Sequence, residues 1–193
     1  MKVKKSKTNK VNLITLGCSK NQVDSEVLLT QLRGNGIDAV HESNSDDPQV
    51  VVINTCGFID NAKQESIDTI LEMAELKNSG NCRKLVVAGC LAERYRDDIR
   101  KEIPEIDFVF GPDELGRIMQ AVQLDSASGP DVSIDALYTS LEIPTIPRVL
   151  TTPSYMAYLK ISEGCDHVCS FCAIPGFRGR FRSRPLQDLI DES

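Results

Sequence analysis

The chain has 193 residues, of which 41% are hydrophobic and 26% are charged, a composition typical of a folded globular protein rather than a disordered one. The formal net charge of −6 argues against binding of nucleic acid through a general positive field. No apolar run is long enough to span a bilayer and no secretory segment is recognisable, so we expect a soluble, cytoplasmic protein without a membrane partner. Seven cysteines in such a protein favour metal or redox chemistry over disulfides.

Strand and helix patterns alternate between residues 11 and 125, after a basic segment at residues 1–10 that is predicted to be a disordered tail. The first helix is predicted to open at Ser19, in a capping box with Gln22, and to end at Gly34 or Gly36. Further helices are predicted after the third strand, around residues 91–101, and within "GPDELGRIMQAVQL" at residues 111–124. The strands are "VNLITL", "DAVHE", "VVVIN", "KLVVAG" and "DFVFG".

Apolar strands alternating with amphipathic helices indicate right-handed crossovers and a parallel sheet covered on both faces. We therefore predict an α/β fold, a flavodoxin-like five-stranded sheet with strand order 2-1-3-4-5 and flanking helices. The helix faces expected to be buried consist of Val23, Val27, Leu28 and Leu32; Ile67, Ile70, Leu71 and Ala74; and Leu115, Ile118, Met119 and Val122.

The character of the sequence changes after residue 125. Residues 126–154 are rich in Pro, Ser and Thr and are predicted to be an interdomain linker. The stretch "YMAYLKIS" then alternates like a new strand, so residues 155–193 are interpreted as the start of a second domain that this chain does not complete.

Three predicted strands end in a cysteine, at Cys18, Cys56 and Cys90. The carboxyl ends of parallel strands share one edge, and strands 1, 3 and 4 are neighbours in the predicted order, so these cysteines should fall within about 10 Å of one another. That is the scale of an iron–sulfur cluster held by thiolates. The alternative is that each cysteine is small, buried filler. Cys82 lies outside the pattern and is interpreted as a surface or packing thiol.

A second group of cysteines, Cys165, Cys169 and Cys172, has the spacing C-x3-C-x2-C, with Phe171 just before the last cysteine. This spacing resembles the signature of the radical S-adenosylmethionine (SAM) superfamily. The resemblance implies a [4Fe–4S] cluster with one open iron for SAM, Phe171 beside it, and a βα barrel that starts with the preceding strand. The alternative is a zinc site of these three cysteines with His167 or a distant residue as the fourth ligand.

Two such groups in this order resemble the methylthiotransferase family. The stretches "LGCSKNQVDSE", "NTCGFIDNAKQESI" and "SEGCDHVCSFCAIPGFRGRFRSR" are similar to its RimO type, which methylthiolates the β-carbon of an aspartate in a small-subunit ribosomal protein. The MiaB type, which acts on a tRNA adenosine, typically differs at the first and second of these stretches.

The resemblance implies a radical SAM transferase with two [4Fe–4S] clusters and SAM as cofactors. Cys165, Cys169 and Cys172 would hold the cluster that cleaves SAM, and Cys18, Cys56 and Cys90 the auxiliary cluster that carries the transferred sulfur. The ribosomal protein would be the partner, with the electron donor and sulfur source unidentified. Because the rest of the barrel is missing, we expect a fragment that does not turn over by itself.

Two alternatives to this function stay open from the sequence: the same chemistry on tRNA, and a non-enzymatic iron–sulfur module. The basic stretch with Arg178, Arg180, Arg182 and Arg184 is expected to be extended, with all four arginines on one face. It is either a solvated strand edge or part of a substrate or cofactor site, and contact with nucleic acid is not required.

Overall fold

The computed structural model describes residues 10–43, 48–123 and 148–193. The predicted tail therefore lies outside the described residues, apart from Lys10, which begins the first strand rather than ending a tail. Most of the predicted linker also lies outside them, and its described part, residues 148–154, contains no helix or strand.

The first part of the chain alternates strands with helices as predicted. The strands are β1 (Lys10–Thr15), β2 (Asp38–His41), β3 (Val50–Thr55), β4 (Lys84–Gly89) and β5 (Phe108–Phe110). The helices are α1 (Ser19–Gly34), α2 (Asp60–Asn78), α3 (Cys90–Arg94), α4 (Arg96–Glu102) and α5 (Leu115–Gln123), the last preceded by a 3₁₀ turn at Pro112–Glu114.

All five strands are parallel, in the order β2-β1-β3-β4-β5, which confirms the predicted topology. Strand β3 lies at the centre and is buried along its whole length. Alternate residues of β3 lie on opposite faces of the sheet. Val50 and Val52 pack on the side of α1 and α5, and Val51 and Ile53 pack on the side of α2, α3 and α4. This two-sided burial explains why the strand reads as a continuous apolar run.

Three predictions about the helices were wrong in part. The N-cap of α1 is Cys18 rather than Ser19. On α2, Ile70 and Ala74 are buried, but Ile67 and Leu71 lie largely open to solvent. The helix predicted at 91–101 is two short helices that meet at Tyr95, whose backbone is not helical.

The last part of the chain differs most from expectation. Instead of a strand over residues 155–162, the structure has a two-stranded antiparallel pair, β6 (Ser162–Glu163) with β7 (Arg182–Ser183). Two short helices accompany it, α6 (Ile174–Arg178) and α7 (Leu186–Glu192). Among the described residues, no helix is both long enough and apolar enough to cross a membrane.

Candidate metal centre

The three strand-end cysteines, Cys18, Cys56 and Cys90, lie at the carboxyl edge of three adjacent strands. Cys56 follows β3 directly, Cys90 follows β4 directly and begins α3, and Cys18 stands between β1 and α1. The strands run side by side in register, so that Thr55 of β3 is level with Gly89 of β4. Parallel topology therefore brings together three residues that lie far apart in the sequence.

Glycines beside these cysteines let their loops approach closely. A Cβ on Gly17 would lie 2.4 Å from Cβ and 2.8 Å from Sγ of Cys56, and Gly17 has a φ of +94°. A Cβ on Gly57 would lie 2.8 Å from the backbone of Leu91 and 2.9 Å from the carbonyl carbon of Cys90. The loop of Cys18 thus packs on Cys56, and the loop of Cys56 on Cys90, at distances that only glycine permits.

Buried side chains hold the backbone around the strand-end cysteines. The Cys56 N–H donates to Oγ of Ser66 at 3.1 Å, and the Ser66 hydroxyl lies 3.2 Å from the Cys56 carbonyl and 2.8 Å from that of Ala62. The side-chain amide of Asn21 lies 3.0 Å from the carbonyl oxygen of Thr55 and 2.8 Å from that of Leu16. Polar side chains from α1 and α2 therefore fix the loops that end β1 and β3.

The three strand-end cysteines differ in exposure. Cys56 and Cys90 are buried, whereas Cys18 is exposed. Burial raises the pKa of the Cys90 thiol to about 11, with a smaller contribution in the same direction from Cys18 and Cys56, while the guanidinium of Arg178 opposes it. Cys90 is consequently a thiol at neutral pH, and a metal that binds it would have to displace the proton.

The strand-end cysteines fit an iron–sulfur cluster in the chemistry of their donor atoms. In the part of the chain that the structure describes, no group of three or more His, Cys, Asp or Glu side chains is placed to hold one metal ion. A cluster spreads its three thiolates over three irons, which sets them farther apart than the ligands of one ion. The strand-end cysteines supply three soft thiol donors, the ligand type that such a cluster requires.

The loop cysteines, Cys165, Cys169 and Cys172, lie in the connection between β6 and α6. Cys165 and Cys172 are half-buried and Cys169 is exposed. The Cys165 N–H donates to the carbonyl of Gly179 at 3.1 Å, and the Cys172 N–H to that of Cys169 at 3.1 Å. Phe171 is 91% exposed and His167 is exposed. The loop is thus held at its first cysteine, contains a turn between the other two, and exposes Phe171 to solvent.

Sequence reasoning missed a buried charge cluster formed by Asp24, Lys160, Glu163 and Arg178. Asp24 projects from α1, and its two carboxylate oxygens pair with Lys160 and with Arg178. Glu163 pairs with the same two cations, at 2.7 Å and 2.9 Å. Burial works to raise the pKa of Glu163, but Lys160 and Arg178 outweigh it and hold that pKa at about 2. These two anions and two cations are buried, and the partly exposed Lys20 adds a third cation 3.5 Å from Glu163.

A second ionic contact joins the same helix to the last part of the chain. Glu26 of α1 is fully buried; its Oε2 lies 2.9 Å from Nε of Arg148, and its Oε1 accepts hydrogen bonds from the N–H and hydroxyl of Thr151, both at 2.9 Å. Arg148 also pairs with Glu192 of α7. The only sign of this interface in the sequence was the polar run "SKNQVDSE", which lies mostly on the buried side of α1.

The prediction for the four arginines was wrong. Arg178 lies at the end of α6 and Arg182 in β7, so the segment is not extended throughout. Arg178 and Arg184 are buried, Arg180 is exposed, and Arg182 binds both carboxylate oxygens of Asp113 at 3.1 Å. The four side chains have separate roles rather than a common face.

Residues 10–111, just over half of the chain, match the family described as "Uncharacterized protein family UPF0004". The chain belongs to this family. The matched region runs from β1 to the residue after β5 and contains all three strand-end cysteines.

Curated relatives extend the similarity to the rest of the chain. A protein of Cytophaga hutchinsonii named "Ribosomal protein uS12 methylthiotransferase RimO" is 53% identical over 193 residues, all of this chain and 41% of the relative. Proteins of the same name from Solibacter usitatus and Myxococcus xanthus are 52% and 50% identical, over 95% and 94% of this chain and 38% and 37% of their own lengths. The expected resemblance to RimO-type methylthiotransferases is confirmed, and the chain spans about two fifths of the length of these relatives.

Proposed function

We propose that this chain belongs to a radical SAM enzyme that methylthiolates an aspartate β-carbon of ribosomal protein uS12, and that it contributes the ligands of two [4Fe–4S] clusters. One observation carries the proposal: three cysteines meet at one sheet edge in a glycine cradle, in a chain about 50% identical to proteins named uS12 methylthiotransferases. A substrate of this kind also supports a cytoplasmic location.

The net reaction replaces one C–H bond of the substrate with a C–S–CH3 group. In the proposed scheme, the hydrogen leaves on the 5′-deoxyadenosine made from one SAM, the methyl group comes from a second SAM, and a one-electron donor and a sulfur source of unidentified nature supply the rest. When bound, the cluster on the loop cysteines would supply the electron for cleavage of SAM, and the auxiliary cluster would supply an open iron for the transferred sulfur.

Each of the two groups of cysteines would hold one cluster. The thiolates of Cys165, Cys169 and Cys172 would hold the cluster that binds SAM, with Phe171 beside it. Thiolates of the strand-end cysteines would hold the auxiliary cluster. Burial of Cys56 and Cys90 keeps water from two of these sulfurs, and the exposed Cys18 marks the open side of the set.

The proposal is tested first by metal analysis. The chain is reconstituted anaerobically with iron and sulfide, and iron, zinc and acid-labile sulfide are measured for the wild type, Cys56→Ala and Cys82→Ala. Cys82 is the matched control, because it is a buried cysteine that packs in the core before β4. We expect Cys56→Ala to lose about four irons and four sulfides, the content of one cubane cluster, and Cys82→Ala to lose none. Binding of zinc instead, or equal losses in both variants, would overturn the assignment.

The substrate is tested separately in cells with and without the complete gene. Mass spectrometry of uS12 should show the methylthio group on an aspartate only when the gene is present. A methylthio group found on tRNA adenosine, with uS12 unmodified, would replace the proposed substrate with the tRNA alternative.

A further inference from the structure

Arg178 makes direct contact with a strand-end cysteine. Its Nε–H donates to Sγ of Cys90 at 3.1 Å, and the whole residue is buried, with 4% of its surface exposed. The contact joins residues 88 positions apart in the sequence. Arg178 also lies six positions after Cys172, so the side chain that touches the first set of cysteines belongs to the segment that carries the second set.

The other nitrogens of the guanidinium are held by polar groups. One terminal nitrogen lies 2.9 Å from a carboxylate oxygen of Asp24 and 2.9 Å from one of Glu163, and the other donates to Oδ1 of Asn21. A guanidinium is planar and rigid, so fixing its two terminal nitrogens also fixes the direction of the Nε–H. The buried charge cluster therefore aims this donor at Cys90.

A donor of this kind acts on the electronic properties of a thiolate-bound centre. Hydrogen bonds to cluster sulfurs are among the factors that set the reduction potential. Reduction adds negative charge, part of which resides on the cysteine sulfurs, and a cationic donor at one sulfur stabilises the reduced form more than the oxidised form. Both Arg178 and Cys90 are buried, so water does not screen this hydrogen bond.

We propose that Arg178 is a positioning residue that raises the reduction potential of the auxiliary cluster through its hydrogen bond to Cys90. The inference rests on the proposed function, because it requires a cluster on the strand-end cysteines. The segment that carries the loop cysteines would thereby influence the reduction potential of the auxiliary cluster. Asp24, Glu163 and Asn21 hold the Arg178 donor in place.

The potential is measured in a background in which all three loop cysteines are alanine, so that only the auxiliary cluster assembles. Redox titrations followed by electron paramagnetic resonance compare the protein in which Arg178 is unchanged with its Arg178→Lys and Arg178→Gln variants. Arg180→Gln is the control, because Arg180 is exposed. We expect a more negative potential in Arg178→Gln, a smaller shift in the same direction in Arg178→Lys, and no shift in Arg180→Gln. A cluster of normal iron content whose potential is the same in Arg178→Gln and wild type would overturn the inference while leaving the proposed function intact.

A second measurement uses the unsubstituted Arg178, in case its variants do not fold. The protein, in the same background without the loop cysteines, is labelled with ¹⁵N-arginine, and the reduced auxiliary cluster is examined for hyperfine coupling to nitrogen by pulsed electron paramagnetic resonance. We expect coupling in the wild type and in Arg94→Gln, a control at an arginine that donates to the carbonyl of Gly57 beside Cys56. Absence of coupling in the wild type would overturn the inference. Absence of iron from the strand-end cysteines would overturn the proposed function and this inference together.

Discussion

Gly17 and Cys56 pack so closely that a single methyl group on Gly17 would overlap the cysteine, at 2.4 Å from its Cβ and 2.8 Å from its Sγ. The two residues stand on the connections that follow neighbouring strands, β1 and β3. Their contact sets how near Cys18, the next residue, comes to Cys56. The glycine is therefore as much a part of the candidate centre as the thiols.

Gly17→Ala should weaken both the fold and the proposed centre. A left-handed φ costs an L-residue about 1–2 kcal/mol, and overpacking adds about 1–3 kcal/mol, so we expect a loss of about 2–5 kcal/mol in the free energy of unfolding. Urea unfolding measures that loss, and iron content after reconstitution should fall in parallel.

Gly34→Ala is the matched control for Gly17→Ala. Gly34 is the last residue of α1, has no unusual φ, and a Cβ there would meet nothing within 4 Å. Alanine should therefore leave the iron content unchanged and raise stability by up to about 1 kcal/mol. Equal iron content in the two variants would contradict the role assigned to Gly17.

Glu26→Gln should destabilise the contact between α1 and the last part of the chain. The substitution removes a buried negative charge and leaves Arg148 with a single carboxylate partner, Glu192. Breaking a buried pair from one side costs about 3–5 kcal/mol, and we expect a loss near the lower value because Glu192 remains. Urea unfolding tests this, with the exposed Glu72→Gln on α2 changing stability by no more than about 0.5 kcal/mol. A loss of similar size in both variants would contradict the prediction.

Glu114 should make stability depend on pH in the acid range. Burial works to raise the pKa of its carboxyl, but hydrogen bonds from Arg96 and from the Gly111 N–H, the latter at 2.7 Å, outweigh burial and lower it below 4.5. The folded state thus favours the carboxylate, and its contribution is complete above about pH 4.5 and is lost as the pH falls through the lowered pKa.

Glu114→Gln should therefore be less stable than the wild type by about 1–2 kcal/mol at pH 7, and the difference should shrink towards zero in acid. Urea unfolding at intervals between pH 7 and pH 3 measures the difference. A gap that stays constant over this range would show that the charge of Glu114 is not its cause.

Cys82 should resist alkylation in the metal-free chain. It is buried in the core, and burial raises the pKa of its thiol, so both access and thiolate fraction are low. Pulse labelling with iodoacetamide and peptide mass spectrometry should show the exposed Cys18 and Cys169 modified well before Cys82. Labelling of Cys82 as fast as Cys169 would contradict the buried position.

Most of the sheet could be predicted from the sequence, because the pattern of each element is local. Mainly apolar runs marked β1, β3 and β4, and the rules for doubly wound folds suggested the order 2-1-3-4-5. The same rules are enough to place Cys18, Cys56 and Cys90 at one edge of the sheet. Helix boundaries were predicted less accurately. The break at Tyr95 was missed because no proline or glycine stands there in the sequence.

The tertiary structure alone decided which polar residues are buried. Asp24 and Glu26 resemble solvent-facing residues of a surface helix, yet they are nearly or fully buried because their charged and polar partners lie in the last part of the chain. Asp24 and Arg178 are 154 positions apart in sequence. Periodicity reports which side of one element is apolar, whereas the pairing of two charges depends on a distant segment that folds onto it. For that reason the sequence determined the sheet and the edge where the cysteines meet, and only the folded chain placed Arg178 against Cys90.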